Sequence, residues 1–175
     1  MTDAATAGAI VFTDIVGFTE FTAQQGDTEA LAVLDRQERL VRSALPDRAR
    51  IVKELGDGLL LWFPEAGSAL DASLGLLERF TDVSGDETPL WVRMGMHWGS
   101  PTPRGDDIVG HAVNLAARIV DMAGPGELLV SEDARVAVDS ESRNVTFDEL
   151  GPIVMRGIPD PVPLYRASRS LALTG

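Results

Sequence analysis

Apolar residues occur along this chain in two patterns, short continuous runs and sets at helical spacing, which together predict an α+β protein. Runs with the length of buried strands lie at 9–14, 50–55, 59–63 and 90–98. Sets that follow the period of a helix lie at 17–25, 28–45, 65–81 and 112–123. This order predicts a ferredoxin-like βαββαβ core, with helices on one face of a mostly antiparallel sheet.

Turn-forming and polar residues mark the ends of the predicted elements. Asp27 is predicted to cap the second helix, and Ser131 a short later helix. Asp57-Gly58 lies between two apolar runs, which predicts a β-hairpin with Asp57 at its tip. Residues 82–89 and 99–106 are predicted loops. Short strands are predicted at 107–109, 127–130 and 145–147. Two short edge strands are predicted at 153–155 and 162–165, because a proline precedes the first and lies within the second.

The length of 175 residues suits one domain, and we find no internal repeat or linker. Residues 9–167 are predicted to form it, and 1–8 and 168–175 to be flexible ends. A net charge of −12 argues against binding nucleic acid through its phosphates. Without cysteines there is no disulfide or thiolate site. Lacking a secretory signal and any apolar run near the length of a membrane span, the chain is expected to be cytoplasmic, with no membrane insertion.

The end of the first strand carries the first candidate chemistry. Asp14 ends an apolar run and is followed by Gly17 and a helix start. A carboxylate is a hard ligand for a metal ion, and free N–H groups at a helix start attract an anion such as phosphate. A simple helix cap is the alternative reading of Asp14. In the predicted fold Asp57 lies near Asp14, and two close carboxylates favour a cation between them. Considered without Asp14, Asp57 is equally well explained as an ordinary turn residue.

Polar residues inside apolar segments give further candidates. Asn114 and Arg118 are four residues apart on an apolar helix and share a face, which suits a polyphosphate. An ion pair of Arg118 with Asp121 is the alternative. Lys53 interrupts an apolar strand, either as a donor aimed into a pocket or as a side chain that reaches solvent. The two histidines, His97 and His111, are interpreted as packing or polar core residues.

Taken together, these segments resemble the catalytic domain of class III nucleotidyl cyclases, most of all the bacterial adenylyl cyclases of mycobacterial type. The motifs that carry the resemblance are Phe12-Thr13-Asp14-Ile15-Val16-Gly17-Phe18-Thr19, Val52-Lys53-Glu54-Leu55-Gly56-Asp57-Gly58 and Asp107-Ile108-Val109-Gly110-His111-Ala112-Val113-Asn114-Leu115-Ala116-Ala117-Arg118-Ile119. Three motifs in order and at fitting spacing make the resemblance specific, and it covers nearly the whole chain.

The resemblance implies a role for each candidate. Asp14 and Asp57, with the Ile15 carbonyl, would bind two Mg²⁺ or Mn²⁺ ions. Lys53 and Asp107 would read the base, and Asp107 is preferred to Asp106 because it precedes Asn114 by seven positions. Asn114 would orient the ribose, and Arg118 would stabilise charge on the α-phosphate. Residues assigned to the triphosphate are Gly17, Phe18, Thr19 and Arg156.

The implied activity is conversion of ATP to cyclic AMP and pyrophosphate at sites shared across a homodimer. A lysine donor and an aspartate acceptor match adenine, whereas guanine presents the reverse polarity. In the resembled family one subunit contributes the metal-binding aspartates of a site, and the other contributes the base readers and the Asn/Arg helix. A guanylyl cyclase and a catalytically silent, nucleotide-binding domain are the alternatives.

Overall fold

The computed structural model of the chain describes residues 6–82, 88–138 and 144–170. Its strands are β1 (Gly8–Ile15), β2 (Arg50–Leu55), β3 (Gly58–Phe63), β4 (Val92–Gly99), β5 (Thr102–Arg104), β6 (Asp107–Val109), β7 (Leu128–Ser131), β8 (Val145–Ile153) and β9 (Val162–Arg169). Its helices are α1 (Phe18–Gln25), α2 (Asp27–Ala44), α3 (Ala66–Phe80), α4 (His111–Asp121) and α5 (Glu132–Ala137).

The main sheet has the strand order β2-β3-β1-β4-β7-β9-β8, and β5 pairs with β6 separately. Among the first four strands, each is antiparallel to its neighbours, in the order of a ferredoxin-like core, and β7 joins β4 in parallel. The predicted α+β fold with its βαββαβ core is therefore confirmed. The β2–β3 hairpin lies directly beside β1, so the turn after β2 reaches the end of β1.

Helices cover both faces of the sheet, so the expectation of helices on one face is wrong. Val11 and its neighbours on one face pack with residues of α2, α3 and α5. Ile10 and Phe12 point to the other face and pack with α4. Successive side chains of a strand alternate between faces, which is why a strand buried on both sides is a continuous apolar run.

Several element ends differ from the predictions. Gly26, not Asp27, is the N-cap of α2, because it alone separates α1 from α2. Residues 99–106 are not all loop, since β5 pairs with β6 there. Residues 145–153 form one strand, β8, and residues 154–155 lie outside it. Ser131 caps α5 by accepting from the Ala134 N–H, as predicted.

β9 is an interior strand between β7 and β8, so its prediction as an edge strand is wrong. Pro163 is tolerated because it lies beyond the last β7 pair, which joins Ser131 to Leu164. At that position β9 pairs only with β8, where Pro163 faces Pro152.

The main sheet extends into both segments that were predicted as flexible ends. Gly8 begins β1, and Ser168 and Arg169 belong to β9. The prediction for residues 1–5 and 171–175, and that for 83–87 of the first loop, lies outside the described residues. Among the helices described, none combines the length and the apolarity that crossing a bilayer requires.

We expect Leu60→Ala and Leu61→Ala each to lower the free energy of unfolding by about 2–5 kcal/mol, measured by chemical denaturation. The two leucines are fully buried and adjacent on β3, so they point to opposite cores. Val136→Ala, at an exposed position of α5, is the control and should change it by less than about 0.5 kcal/mol. Destabilisation by only one of the leucine variants would contradict a sheet covered on both faces.

Candidate active site

The carboxyl groups of Asp14 and Asp57 meet at the end of the sheet where β1 finishes. Asp14 is the second-last residue of β1, and Asp57 lies in the two-residue turn between β2 and β3. β3 pairs antiparallel with β1 from Ala9↔Phe63 to Thr13↔Leu59, which brings the turn to Asp14. The two carboxyl groups are close enough for a hydrogen bond between them when one is protonated. The structure thus brings together the two acids that the sequence predicted to be neighbours.

This contact changes the ionisation of Asp57. Burial, followed by the hydrogen bond and the negative charge of Asp14, raises the pKa of Asp57 to about 6. Arg93 and a backbone N–H act in the opposite direction, and they are outweighed. In the chain alone, Asp57 therefore keeps its proton up to about pH 6.

Arg93 provides the positive charge next to this pair. It lies on β4 directly across from Asp14, and its Nε donates to Asp14 Oδ2 at 2.9 Å, with a second bond from Nη2. Both side chains are about three-quarters buried, at 27% and 26% exposed. Nη1 of Arg93 also donates to the Asp121 carbonyl at the end of α4, at 3.2 Å. Arg93 thus ties the carboxyl pair to α4.

Lys53 and Asp107 form a second polar pair. Lys53 Nζ donates to Asp107 Oδ2 at 2.9 Å, and the Ile108 N–H donates to Oδ1 at 2.7 Å. The hydrogen bond from Lys53, then that from Ile108, lowers the pKa of Asp107. Asp106 instead uses its backbone carbonyl, which accepts from Arg50. Of the two adjacent aspartates, the structure pairs Asp107 with Lys53.

Asn114 and Arg118 are exposed on α4 and share one face of it. Arg118 approaches Asp121 at 3.8 Å, the ion pair considered as its alternative role. With side chains 46% and 55% exposed, such a pair contributes little to stability. In the single chain, therefore, both residues remain open to a further ligand or to a second copy.

The remaining candidates lie at two separate places. Gly17 caps α1 with a left-handed φ of 74°, which a glycine adopts readily, and it leaves the first N–H groups of α1 without a side-chain cap. A cavity of about 720 Å³ adjoins Gly17 and Phe18 on the α1–α2 side, and neither Asp14 nor Asp57 lines it. Thr19 and Arg156 are both exposed, the latter in the turn after β8.

The histidines differ in their surroundings. His97 is buried and its Nδ1 lies 2.7 Å from Ser131 Oγ, the cap of α5, which confirms its interpretation as a polar core residue. Burial is the main cause that lowers the pKa of His97. His111 is exposed at the first position of α4, so a packing role for it is wrong.

Comparison with known proteins decides the family. Residues 3–167 match the adenylate and guanylate cyclase catalytic domain. The chain belongs to this family. The class III resemblance inferred from the three motifs is therefore confirmed.

Relatives of this cyclase domain include named enzymes. It is 30% identical over 168 residues to a pH-sensitive adenylate cyclase of Mycobacterium tuberculosis, with 95% of the chain and 42% of that protein covered. It is 35% identical over 120 residues to an adenylate cyclase of Streptomyces griseus, covering 68% and 29%. The chain thus spans less than half the length of either relative.

The fold of the cyclase domain is shared with solved structures. An adenylate cyclase of Trypanosoma brucei in its monomeric state superimposes with a TM-score of 0.82 at 24% identity. The superposition covers 95% of this chain and 94% of that one. At 24% identity, this similarity is evidence for a shared fold alone.

The family implies divalent cations, and the donor set of the cyclase domain fits them. The two carboxyl groups lie side by side and one has a raised pKa, so a bound cation would relieve their electrostatic repulsion. Carboxylate oxygens are also the hard ligands that Mg²⁺ and Mn²⁺ prefer. Within residues 6–82, 88–138 and 144–170, no group of three or more His, Asp or Glu side chains could hold a metal ion. Backbone and substrate oxygens would therefore complete the coordination.

Arg93 is a functional candidate that the sequence pattern did not indicate. The available signal was a cation inside an otherwise apolar strand, as for Lys53. Only the strand register shows that it faces Asp14.

Without divalent cations, we expect Asp57→Asn to raise the midpoint of thermal unfolding at pH 7 and to change it much less at pH 4. The folded chain keeps the Asp57 proton up to about pH 6 while its ordinary pKa is 3.8, so wild-type stability falls as the pH rises between these values. Calorimetry in a chelating buffer measures both midpoints. Asp106→Asn, at an exposed carboxyl, is the control, and an equal gain for Asp57→Asn at both pH values would contradict a proton retained on Asp57.

Proposed function

We propose that this domain is an adenylyl cyclase that converts ATP to 3′,5′-cyclic AMP and pyrophosphate. The ribose 3′-oxygen attacks the α-phosphorus, the 3′-hydroxyl loses its proton, and the bond to the β-phosphate oxygen breaks. The observation that carries the proposal is the Asp14–Asp57 carboxyl pair, held at a strand end within a cyclase-family chain. The relatives named adenylate cyclases support it.

Asp14 and Asp57 are the proposed cation ligands, together with the Ile15 carbonyl. When bound, two Mg²⁺ or Mn²⁺ ions supply positive charge to the triphosphate and acidify the 3′-hydroxyl. Uncapped N–H groups of α1, at Phe18 and Thr19, suit an anion that approaches past Gly17. Arg93, already beside Asp14, adds a guanidinium at the same place, and Arg156 is a further cation proposed for the triphosphate.

Lys53 and Asp107 are proposed to select adenine. Lys53 carries three N–H donors and uses one on Asp107, whose Oδ1 also accepts from Ile108. The pair is therefore already held in place, with a donor and an acceptor left for the N1 and the amine of adenine. Guanine would place a donor against Lys53 and an acceptor against Asp107, so ATP is favoured over GTP.

A second copy of the chain is proposed to complete each site. Asn114, for the ribose, and Arg118, for charge on the α-phosphate, are exposed in the single chain. A two-fold dimer would place the α4 face of one copy opposite the carboxyl pair of the other and so form two equivalent sites. The catalytic contribution of such residues is positioning and charge stabilisation.

We expect the purified chain with Mn²⁺ to form cyclic AMP from ATP far faster than cyclic GMP from GTP, measured by chromatography of the products. Asp14→Ala should abolish product formation, because it removes one of the two acids. Glu38→Ala, at an acid on α2 that pairs with Arg42, is the matched control.

Other product patterns would each contradict part of the proposal. Preferred turnover of GTP would overturn the base assignment of Lys53 and Asp107. Nucleotide binding without product would indicate a silent domain. Full activity of Asp14→Ala would remove the cation site.

Shared sites predict complementation between two inactive chains. Arg118→Ala should lower kcat by about 10²–10³-fold while KM changes much less, because the arginine acts mainly in the transition state. An equal mixture of Asp14→Ala and Arg118→Ala should recover about a quarter of wild-type activity, since half of the dimers then hold one intact site. A mixture no more active than its components would contradict sites formed by two copies.

A further inference from the structure

Gln37 is a buried polar residue in the middle of α2, on the helix face that packs against the sheet. Its side chain is 1% exposed, so water does not reach it. A buried amide needs partners for its donor and its acceptor, because leaving either unpaired is costly. Both partners of Gln37 belong to the segments that carry the two proposed cation ligands.

The hydrogen bonds of Gln37 run to each of these segments. Its Nε2 donates to the backbone carbonyl of Asp57 at 3.1 Å, and its Oε1 accepts from Thr13 Oγ1 at 3.2 Å. Thr13 Oγ1 in turn accepts from the Leu59 N–H at 3.0 Å. Since a carbonyl can only accept, the amide has one orientation that satisfies all three bonds.

This network holds the turn against β1 next to the carboxyl pair. Thr13 directly precedes Asp14 and is 2% exposed. The backbone of the turn is packed closely here, because a Cβ at Gly58 would lie 2.2 Å from the Thr13 carbonyl oxygen. A small shift of the turn would therefore move the Asp57 carboxyl relative to that of Asp14.

We propose that Gln37 is a positioning residue that sets the separation of the Asp14 and Asp57 carboxylates for divalent cations. It contacts neither the reacting atoms nor the cations, and it acts through the Asp57 carbonyl and the Thr13 hydroxyl. This inference rests on the proposed function, since it concerns the same cation site.

A purely structural role is the competing explanation, because any buried amide that is removed destabilises a fold. Val41 provides the comparison, as it lies one turn further along α2 and is fully buried in the core. Val41→Ala loses stability without touching the turn. Only a positioning role predicts that cation affinity changes at Gln37 and not at Val41.

The test measures Mn²⁺ binding to the full chain by electron paramagnetic resonance of the free ion, alongside thermal unfolding. We expect Gln37→Met, which keeps the length of the side chain and removes its hydrogen bonds, to weaken Mn²⁺ binding about 10–100-fold. The Mn²⁺ concentration that gives half-maximal cyclic AMP formation should rise in parallel. Val41→Ala should lower the unfolding midpoint and bind Mn²⁺ as wild type does.

Thr13→Val tests the same network from the strand and decides the question alone if Gln37→Met does not fold. It should also weaken Mn²⁺ binding, and the double variant should be little worse than either single one, because both break one network. Wild-type affinity in either folded variant, or an equal loss in Val41→Ala, would overturn the positioning role and leave the proposed function standing. A wild-type chain that binds no Mn²⁺ and forms no cyclic AMP would overturn the proposed function and this inference with it.

Discussion

Two acids that lie side by side at the end of a sheet destabilise each other when both are ionised, unless positive charge offsets their repulsion, and this constraint organises the site. In the chain alone, two features reduce the repulsion between the carboxylates. Asp57 retains a proton to about pH 6, and Arg93 donates two hydrogen bonds to Asp14. Divalent cations would satisfy the same constraint better, because they permit both carboxylates to ionise. The electrostatic cost of the pair is thus what makes it a cation site.

The fold explains why these acids meet. A ferredoxin-like strand order sets the β2–β3 hairpin beside β1, and burial on both faces fixes the register of β1 and β3. A slip of one residue would turn every buried side chain to the wrong core, so the register is strongly specified. Gln37 adds a polar clamp to this apolar frame, from a helix that otherwise packs through aliphatic residues. The face of α4 with Asn114 and Arg118, in contrast, remains open.

The sequence predicted those parts of the site that depend on local pattern. Asp57 in a hairpin turn and Asp14 at a strand end follow from apolar runs broken by turn residues, and the βαββαβ order then places them together. Contacts that depend on register were not predictable: Arg93 and Gln37 look like an ordinary strand cation and an ordinary helix amide until the pairing is known. Prolines caused two wrong predictions. β5 contains a proline and was predicted as loop, and β9 was predicted as an edge strand although its proline lies beyond the residues that pair with β7. The placement of α4 on the second face likewise needs the tertiary structure.

Crystals grown with Mn²⁺ and 3′-deoxy-ATP, which lacks the attacking hydroxyl, would test the central claim most directly through the anomalous scattering of manganese. We expect manganese in contact with the carboxylates of both Asp14 and Asp57. We expect Asn114 and Arg118 of a second copy to face the nucleotide. Manganese bound away from both carboxylates, or a nucleotide enclosed by a single chain without those α4 residues, would contradict that claim.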